Sequence, residues 1–210
     1  MIKTTIGFAL LATTFLSSAA SAFDITTDDL LEKLSNSPNV SWEEVGEDKK
    51  DETDVIAVNL PNDQTKYFRY TYSKPDGYEV ITKPELMLPT ITDPSEQNTY
   101  QTGGVAVNNP AGNKYGDITG KVFANNKVSG KLTGTSSYNN LYILGGAVYN
   151  AGEIGDITAD FINNSLTGTE EGSNSLYLRG GAIYNSDTGT IGNITGNFIG
   201  NYASKGAVYS

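Results

Sequence analysis

Gly145-Gly146-Ala147-Val148-Tyr149-Asn150 is the stretch that decides the fold, because the chain writes it again. It recurs as Gly180-Gly181-Ala182-Ile183-Tyr184-Asn185 and as Lys205-Gly206-Ala207-Val208-Tyr209-Ser210. A degraded copy stands at Gly103-Gly104-Val105-Ala106-Val107-Asn108. A second block recurs between these copies. Gly116-Asp117-Ile118-Thr119-Gly120 matches Gly155-Asp156-Ile157-Thr158-Ala159 and Gly192-Asn193-Ile194-Thr195-Gly196. Each is followed by Phe-x-x-Asn: Phe123 to Asn126, Phe161 to Asn164 and Phe198 to Asn201. Self-similarity at this period is the signature of a solenoid.

The second Gly of each pair falls at 104, 146, 181 and 206, in steps of 42, 35 and 25, while the Phe positions step by 38 and 37. Fixed short blocks with variable connections, such as the polar insertion Ser165 to Asn174, describe one rigid wall with loops that grow. The step of 25 fits a single coil with three short strands. The expected fold is all-β, a parallel β-helix of about three coils over residues 100–210.

Each block then acquires a position. Val148, Ile183 and Val208 form one interior column, Ile118, Ile157 and Ile194 a second, and Phe123, Phe161 and Phe198 a third. Identical side chains stack at the strand spacing of about 4.8 Å. Gly pairs supply tight corners at positive φ. Asn108, Asn150 and Asn185 form one ladder at a turn, and Asn126, Asn164 and Asn201 another, each amide bonding to the coil above. Ile118 and Phe123 are one residue further apart than their counterparts. Either a bulge sits there or Val122 takes the interior slot. With Val148 and its equivalents inside, alternation turns Tyr149, Tyr184 and Tyr209 outward as a candidate contact surface.

The pairing of GGA[IV] with FxxN over about 103–210 resembles the repeats of polymorphic outer membrane protein autotransporter passengers. The resemblance implies a right-handed β-helix, secretion across the outer membrane, and adhesion to host or neighbouring surfaces. The chain departs from that family in lacking the alternating apolar strands of a C-terminal barrel. It stops inside a repeat, so a truncated passenger, or else a freestanding secreted piece, is expected. About three coils make a stub roughly 15 Å tall whose open end invites self-association.

The first half has different physics. Twenty of 23 Gly lie in 100–210, and six of seven Pro lie before it. Residues 23–99 hold 17 acids and 7 bases, against 7 and 6 in 100–210. Residues 23–99 therefore read as a separate acidic module, α+β or mainly β. Thr26 or Thr27 caps a short helix with Leu30, Leu31 and Leu34 on one edge. Residues 43–54 read as a solvated charged loop. Val55 to Leu60 and Tyr67 to Tyr72 read as a hairpin around Pro61-Asn62-Asp63, and Tyr78 to Thr82 as a further strand. Pro84, Pro89 and Pro94 read as an extended linker.

Residues 1–22 carry Lys3, an apolar run from Ile6 to Leu16, and the small-residue site Ala20-Ser21-Ala22. This is the pattern of a signal peptide cleaved before Phe23. The run is too short to span a membrane, and no second one follows, so the mature chain has no transmembrane segment.

The chain contains no His and no Cys. That excludes Ser-His-Asp and Cys-His catalysis, His or Cys metal sites, and disulfides. A net charge of −10 argues against a nucleic-acid partner. No cofactor is expected. The leading reading is an exported, non-enzymatic, adhesin-like protein at the cell surface or secreted, whose partner is a surface protein or glycan. The rival is a polysaccharide-degrading β-helix enzyme, whose best acids are Asp117 and Asp156, stacked about 5 Å apart as in a retaining glycosidase. Their third equivalent, Asn193, relieves charge repulsion instead of building a site. The same pair supplies too few oxygens to hold Ca²⁺ by itself.

Overall fold

The computed structural model describes residues 32, 36, 38–60, 64–92, 99–133, 139–172 and 174–207. The signal-peptide site at Ala20, Ala22 and Phe23, most of the expected helix, the 61–63 turn, Val208 and Tyr209 lie outside the described residues.

The chain first makes a small antiparallel sheet. Strand β1 (Val40–Val45) and β2 (Val55–Leu60) flank β3 (Gln64–Tyr72) in the order β1-β3-β2. Alternate residues of β2 and β3 are buried, notably Ile56, Val58, Leu60, Phe68 and Tyr70. The expected charged loop is shorter than its charge suggested, because Glu43 to Val45 pair with Tyr67 to Arg69 inside β1. A turn of 3₁₀ helix (Glu47–Lys49) follows. Much of the acidity there is ion-paired. Arg69 contacts Glu52 and Asp54, Lys49 contacts Glu52, Lys50 contacts Glu47 and Lys66 contacts Glu44.

A parallel β-solenoid of about three turns follows, with five short strands to a full coil. The first coil is β4 (Glu79–Ile81), β5 (Leu86–Met87), β6 (Ile91–Thr92), β7 (Thr99–Gly103) and β8 (Val107–Asn109). The second is β9 (Ile118–Ala124), β10 (Lys127–Thr133), β11 (Asn140–Leu144), β12 (Val148–Asn150) and β13 (Glu153–Ile154). The third is β14 (Ile157–Ile162), β15 (Ser165–Glu170), β16 (Ser175–Arg179), β17 (Ile183–Asn185) and β18 (Thr190–Ile191). A fourth begins with β19 (Ile194–Thr195), β20 (Phe198–Ile199) and β21 (Tyr202–Ala207). Stacking gives five faces: β4-β9-β14-β19/β20, then β5/β6-β10-β15-β21, β7-β11-β16, β8-β12-β17 and β13-β18.

Solenoid pairing begins at Glu79, well before the compositional break near residue 100. Of the expected Pro-rich linker, the stretch 86–92 is instead part of the first coil, and Pro94 lies outside the described residues. Pro89 separates β5 from β6, and both pair with β10. They form the edge of their face, where a missing N–H is tolerated.

The columns run in register. Ile118, Ile157 and Ile194 pair in sequence, as do Phe123, Phe161 and Phe198, but Ile194, on the last coil, is exposed and not interior as expected. Neighbouring Phe rings stack with centroids 5.0 and 4.7 Å apart. The extra residue before Phe123 is a bulge. The register shifts at Thr158/Ala159, and Gly120 sits opposite it at φ +62°. Val122 therefore points out of the coil. The Asn126–Asn164–Asn201 ladder is buried, each Nδ2 donating to the next Oδ1 at 2.9 and 2.8 Å.

Three expectations are corrected. The degraded copy is offset by one residue, so Val107 and Asn109, not Ala106 and Asn108, stand beneath Val148 and Asn150. Ser165 to Glu170 is not an inserted loop; it is strand β15, in register with β10. Above all, the third GGA copy does not return to the GGA face. Gly206 and Ala207 pair with Thr169 and Glu170 on the second face. Lys205 replaces the first Gly of the motif, and in the other copies that Gly has φ between +62° and +76°. A Lys resists that conformation. The step of 25 is therefore not a coil; the paired columns repeat at 35 to 42 residues, as from Leu141 to Leu176 and from Val80 to Val122.

The antiparallel sheet seats on the outside of the first face. Val40, Ile56, Val58, Leu60, Phe68 and Tyr70 form one apolar cluster with Val122, Ile162 and Ile199. The Tyr70 hydroxyl donates to Asn163 Oδ1, and the Tyr72 hydroxyl donates to Asp160 Oδ2 at 2.7 Å.

Candidate functional site

The two glycines of GGA[IV] do different work. The first has positive φ, +76° at Gly145 and +72° at Gly180, and Gly104, which the one-residue offset brings to the same position, has +62°. The second is packed against backbone of the next coil and of the second face. A Cβ on Gly146 would stand 2.0 Å from the Gly181 carbonyl oxygen, and one on Gly181 would stand 2.7 Å from the Tyr202 backbone nitrogen. This corner joins the third and fourth faces and turns their outward residues toward each other.

Tyr149 and Tyr184 lie where expected, half-exposed and in register, with parallel rings 6.0 Å apart. A second row stands on the other side of the corner. Tyr142 and Tyr177 are paired between β11 and β16, and their rings stack at 4.6 Å and 10°. They point outward because Leu141 and Ile143 are buried on either side of Tyr142. Gln101 continues the second row, opposite Tyr142. Its Nε2 donates to the Tyr149 hydroxyl at 2.8 Å, tying the two rows across the corner in an exposed position. The rows therefore line one groove along the solenoid axis. Sequence reading missed the Tyr142 row because it lies just outside the repeated motif. The available signal was spacing, since Gln101, Tyr142 and Tyr177 each fall three residues before the positive-φ Gly.

The groove is distinctive in charge. Segments 99–109, 140–150 and 175–185 contain no Asp or Glu, and Arg179 is their one charged residue, in a chain with 24 acids. Outward groups are phenols, amides and hydroxyls, all of which both present and complete hydrogen bonds without a net charge.

The acids are elsewhere and engaged. Asp117 and Asp156 do stack in successive coils, exposed at the first-face corner. The Asp156 N–H donates to Asp117 Oδ1 at 2.9 Å, and the Asn193 N–H and Nδ2 donate to Asp156 Oδ1 at 2.8 and 3.2 Å. Each carboxylate thus caps the backbone of the next coil. It lies over Gly155 or Gly192, where a Cβ would approach it to 2.0 or 2.3 Å. Asp160 repeats the arrangement, accepting from the Asn197 N–H and Nδ2 as well as from Tyr72. The Lys121 ammonium beside Glu79 holds that exposed carboxyl below its ordinary range. Burial pushes the Tyr70 phenol up to about 12, opposed by its bond to Asn163. Burial and then the Asp160 bond raise Tyr72 as well.

A groove of about 500 Å³ lies where the antiparallel sheet meets the solenoid, bordered by Glu52, Asn125, Lys127 and Tyr202. Among the described residues no three acids gather in a way that can hold a metal ion, and no helix is long and apolar enough to cross a membrane. No family model matches this chain, and neither characterised proteins nor solved structures provide a match.

Proposed function

We propose that this is an exported protein that acts by surface contact, an adhesin-like passenger of the autotransporter type. The observation that carries the proposal is the acid-free double row of Tyr142, Tyr177, Tyr149 and Tyr184 on a rigid stacked wall. Tyr-rich surfaces with Ser, Asn and Gly suit recognition, because a phenol offers large contact area and a polar tip at little entropic cost. The two stacked acids that would serve a glycosidase instead hold backbone N–H groups of the neighbouring coil. The leader sequence directs the chain out of the cytoplasm.

The test is expression of the full chain with its own leader in a Gram-negative host. A mature N-terminus at Phe23, and antibody labelling of intact cells or of the medium, are expected. An uncleaved chain retained in the cytoplasm overturns export. Release of reducing ends from polysaccharides, abolished by Asp117→Asn with Asp156→Asn, overturns the contact reading in favour of an enzyme.

A further inference from the structure

We infer that the groove between the two tyrosine rows binds a neutral oligosaccharide, lying along the solenoid axis against Gln101, Tyr142, Tyr177, Tyr149 and Tyr184. This rests on the contact reading above and names the partner. Charge, size and repeat carry it.

Charge removes the polyanions. A sulfated or uronate glycan, like a nucleic acid, calls for rows of Lys or Arg, and the groove offers Arg179 alone. What it does present is a repeating set of uncharged donors and acceptors. Tyr142 lies above Gln101 and below Tyr177, and Tyr149 lies above Asn108 and below Tyr184. A linear neutral saccharide presents a similar set of hydroxyls at every sugar. The rings stack upon each other along the axis, which leaves phenol hydroxyls and ring edges facing the groove at each coil. Hydroxyl-to-hydroxyl and hydroxyl-to-amide bonds are the chemistry available there.

Size separates a saccharide from a protein. Three stacked strands at about 4.8 Å stand about 15 Å tall, and five plus three residues at about 3.3 Å span about 27 Å. The face is thus on the order of 400 Å², half of the roughly 800 Å² per partner of a standard protein interface. It is too small to hold a second copy of this chain or another folded protein tightly. It suits a ligand a few sugars long. The Gln101–Tyr149 bond fixes the walls before a ligand arrives, which lowers the ordering cost of binding.

The experiment uses the full chain purified after export, screened against immobilised neutral tri- to hexasaccharides of glucose, mannose, xylose and N-acetylglucosamine. Binders are then followed by titration calorimetry. Tyr142→Phe with Tyr177→Phe removes two hydroxyls and keeps the stacked rings, so folding is preserved. Gln101→Ala removes the tie between rows. At least one neutral series is expected to bind, about tenfold more weakly in the double Phe variant and several-fold more weakly in Q101A, with unchanged circular dichroism. Three results overturn the inference: no binding by any neutral saccharide, binding equal in wild type and double Phe variant, or concentration-dependent self-association lost in that variant without sugar binding. None of these affects leader cleavage or surface labelling, so failure of the ligand and failure of the contact protein's export are read separately.

Discussion

Asn164→Ala is the most informative single substitution in the solenoid. Asn164 is fully buried in the middle of its ladder. Its Nδ2 donates to Asn201 Oδ1 at 2.8 Å and to the Phe123 carbonyl at 2.8 Å. Its Oδ1 accepts from Asn126 Nδ2 at 2.9 Å and from the Asn126 N–H at 3.0 Å. Alanine removes all four bonds, each with a net value of about 1 kcal/mol, so the loss is about 4 kcal/mol. Asn201→Ala, one rung up, removes three: to the Phe161 carbonyl, and from the Asn164 N–H and Nδ2. It should cost about 3 kcal/mol by the same reckoning. Against a total stability of about 5–15 kcal/mol, the first substitution brings a domain of this kind near its threshold. The assay is urea unfolding followed by far-ultraviolet circular dichroism for the solenoid and by Trp42 fluorescence for the antiparallel sheet. A loss below about 1 kcal/mol for N164A, or a larger loss for N201A, would refute the argument that the ladder is a cooperative, buried hydrogen-bond network.

Other substitutions test the remaining features. Phe161→Ala empties a fully buried site between two stacked rings and should cost about 3–5 kcal/mol in the same urea experiment. Gly181→Ala forces a Cβ to within 2.7 Å of the Tyr202 backbone, so its melting temperature should fall by several degrees or more. Gly77→Ala, at φ +79° with open space around it, should cost only about 1 kcal/mol of backbone strain. In an alkaline titration read at 295 nm, Tyr70, raised to about 12, and Tyr72 should be the last phenols to ionise. Their unfolded values are about 10. The folded state therefore resists losing these protons, its stability is intact below about pH 10 and falls as pH rises beyond it, and the Trp42 signal should report that loss.

The solenoid was legible where chemistry repeats in step with geometry. Ile118, Phe123, Asn126 and their successors carry the same side chains at nearly constant spacing, and stacked parallel strands demand that. The motif string misled where its spacing was ignored. Lys205-Gly206-Ala207 copies the letters of the GGA block, but only four residues separate Asn201 from Gly206, too few to build the second and third faces. The first coil was hidden because Glu79 to Thr92 shares no motif with later coils; its strands are edges, held by backbone pairing that many sequences satisfy. The tyrosine groove was half visible. Tyr149 and Tyr184 belong to the repeated block, whereas Tyr142 and Tyr177 precede it and needed the β11–β16 register. The seat of the antiparallel sheet could be sensed only from apolar residues at outward positions, Val122, Ile162 and Ile199, which a solvated face would not carry.

That seat also sets an order of events. Val122, Ile162 and Ile199 belong to the second, third and fourth coils, and the hydroxyls of Tyr70 and Tyr72 reach partners 93 and 88 residues further along. A ribosome releases the antiparallel sheet first, yet the surface that receives it is complete only after most of the solenoid has been made and wound. Contacts this distant in sequence form slowly. The earliest segment to emerge is therefore the last to dock. Until then its apolar face stays uncovered, which leaves a nascent chain open to chaperones.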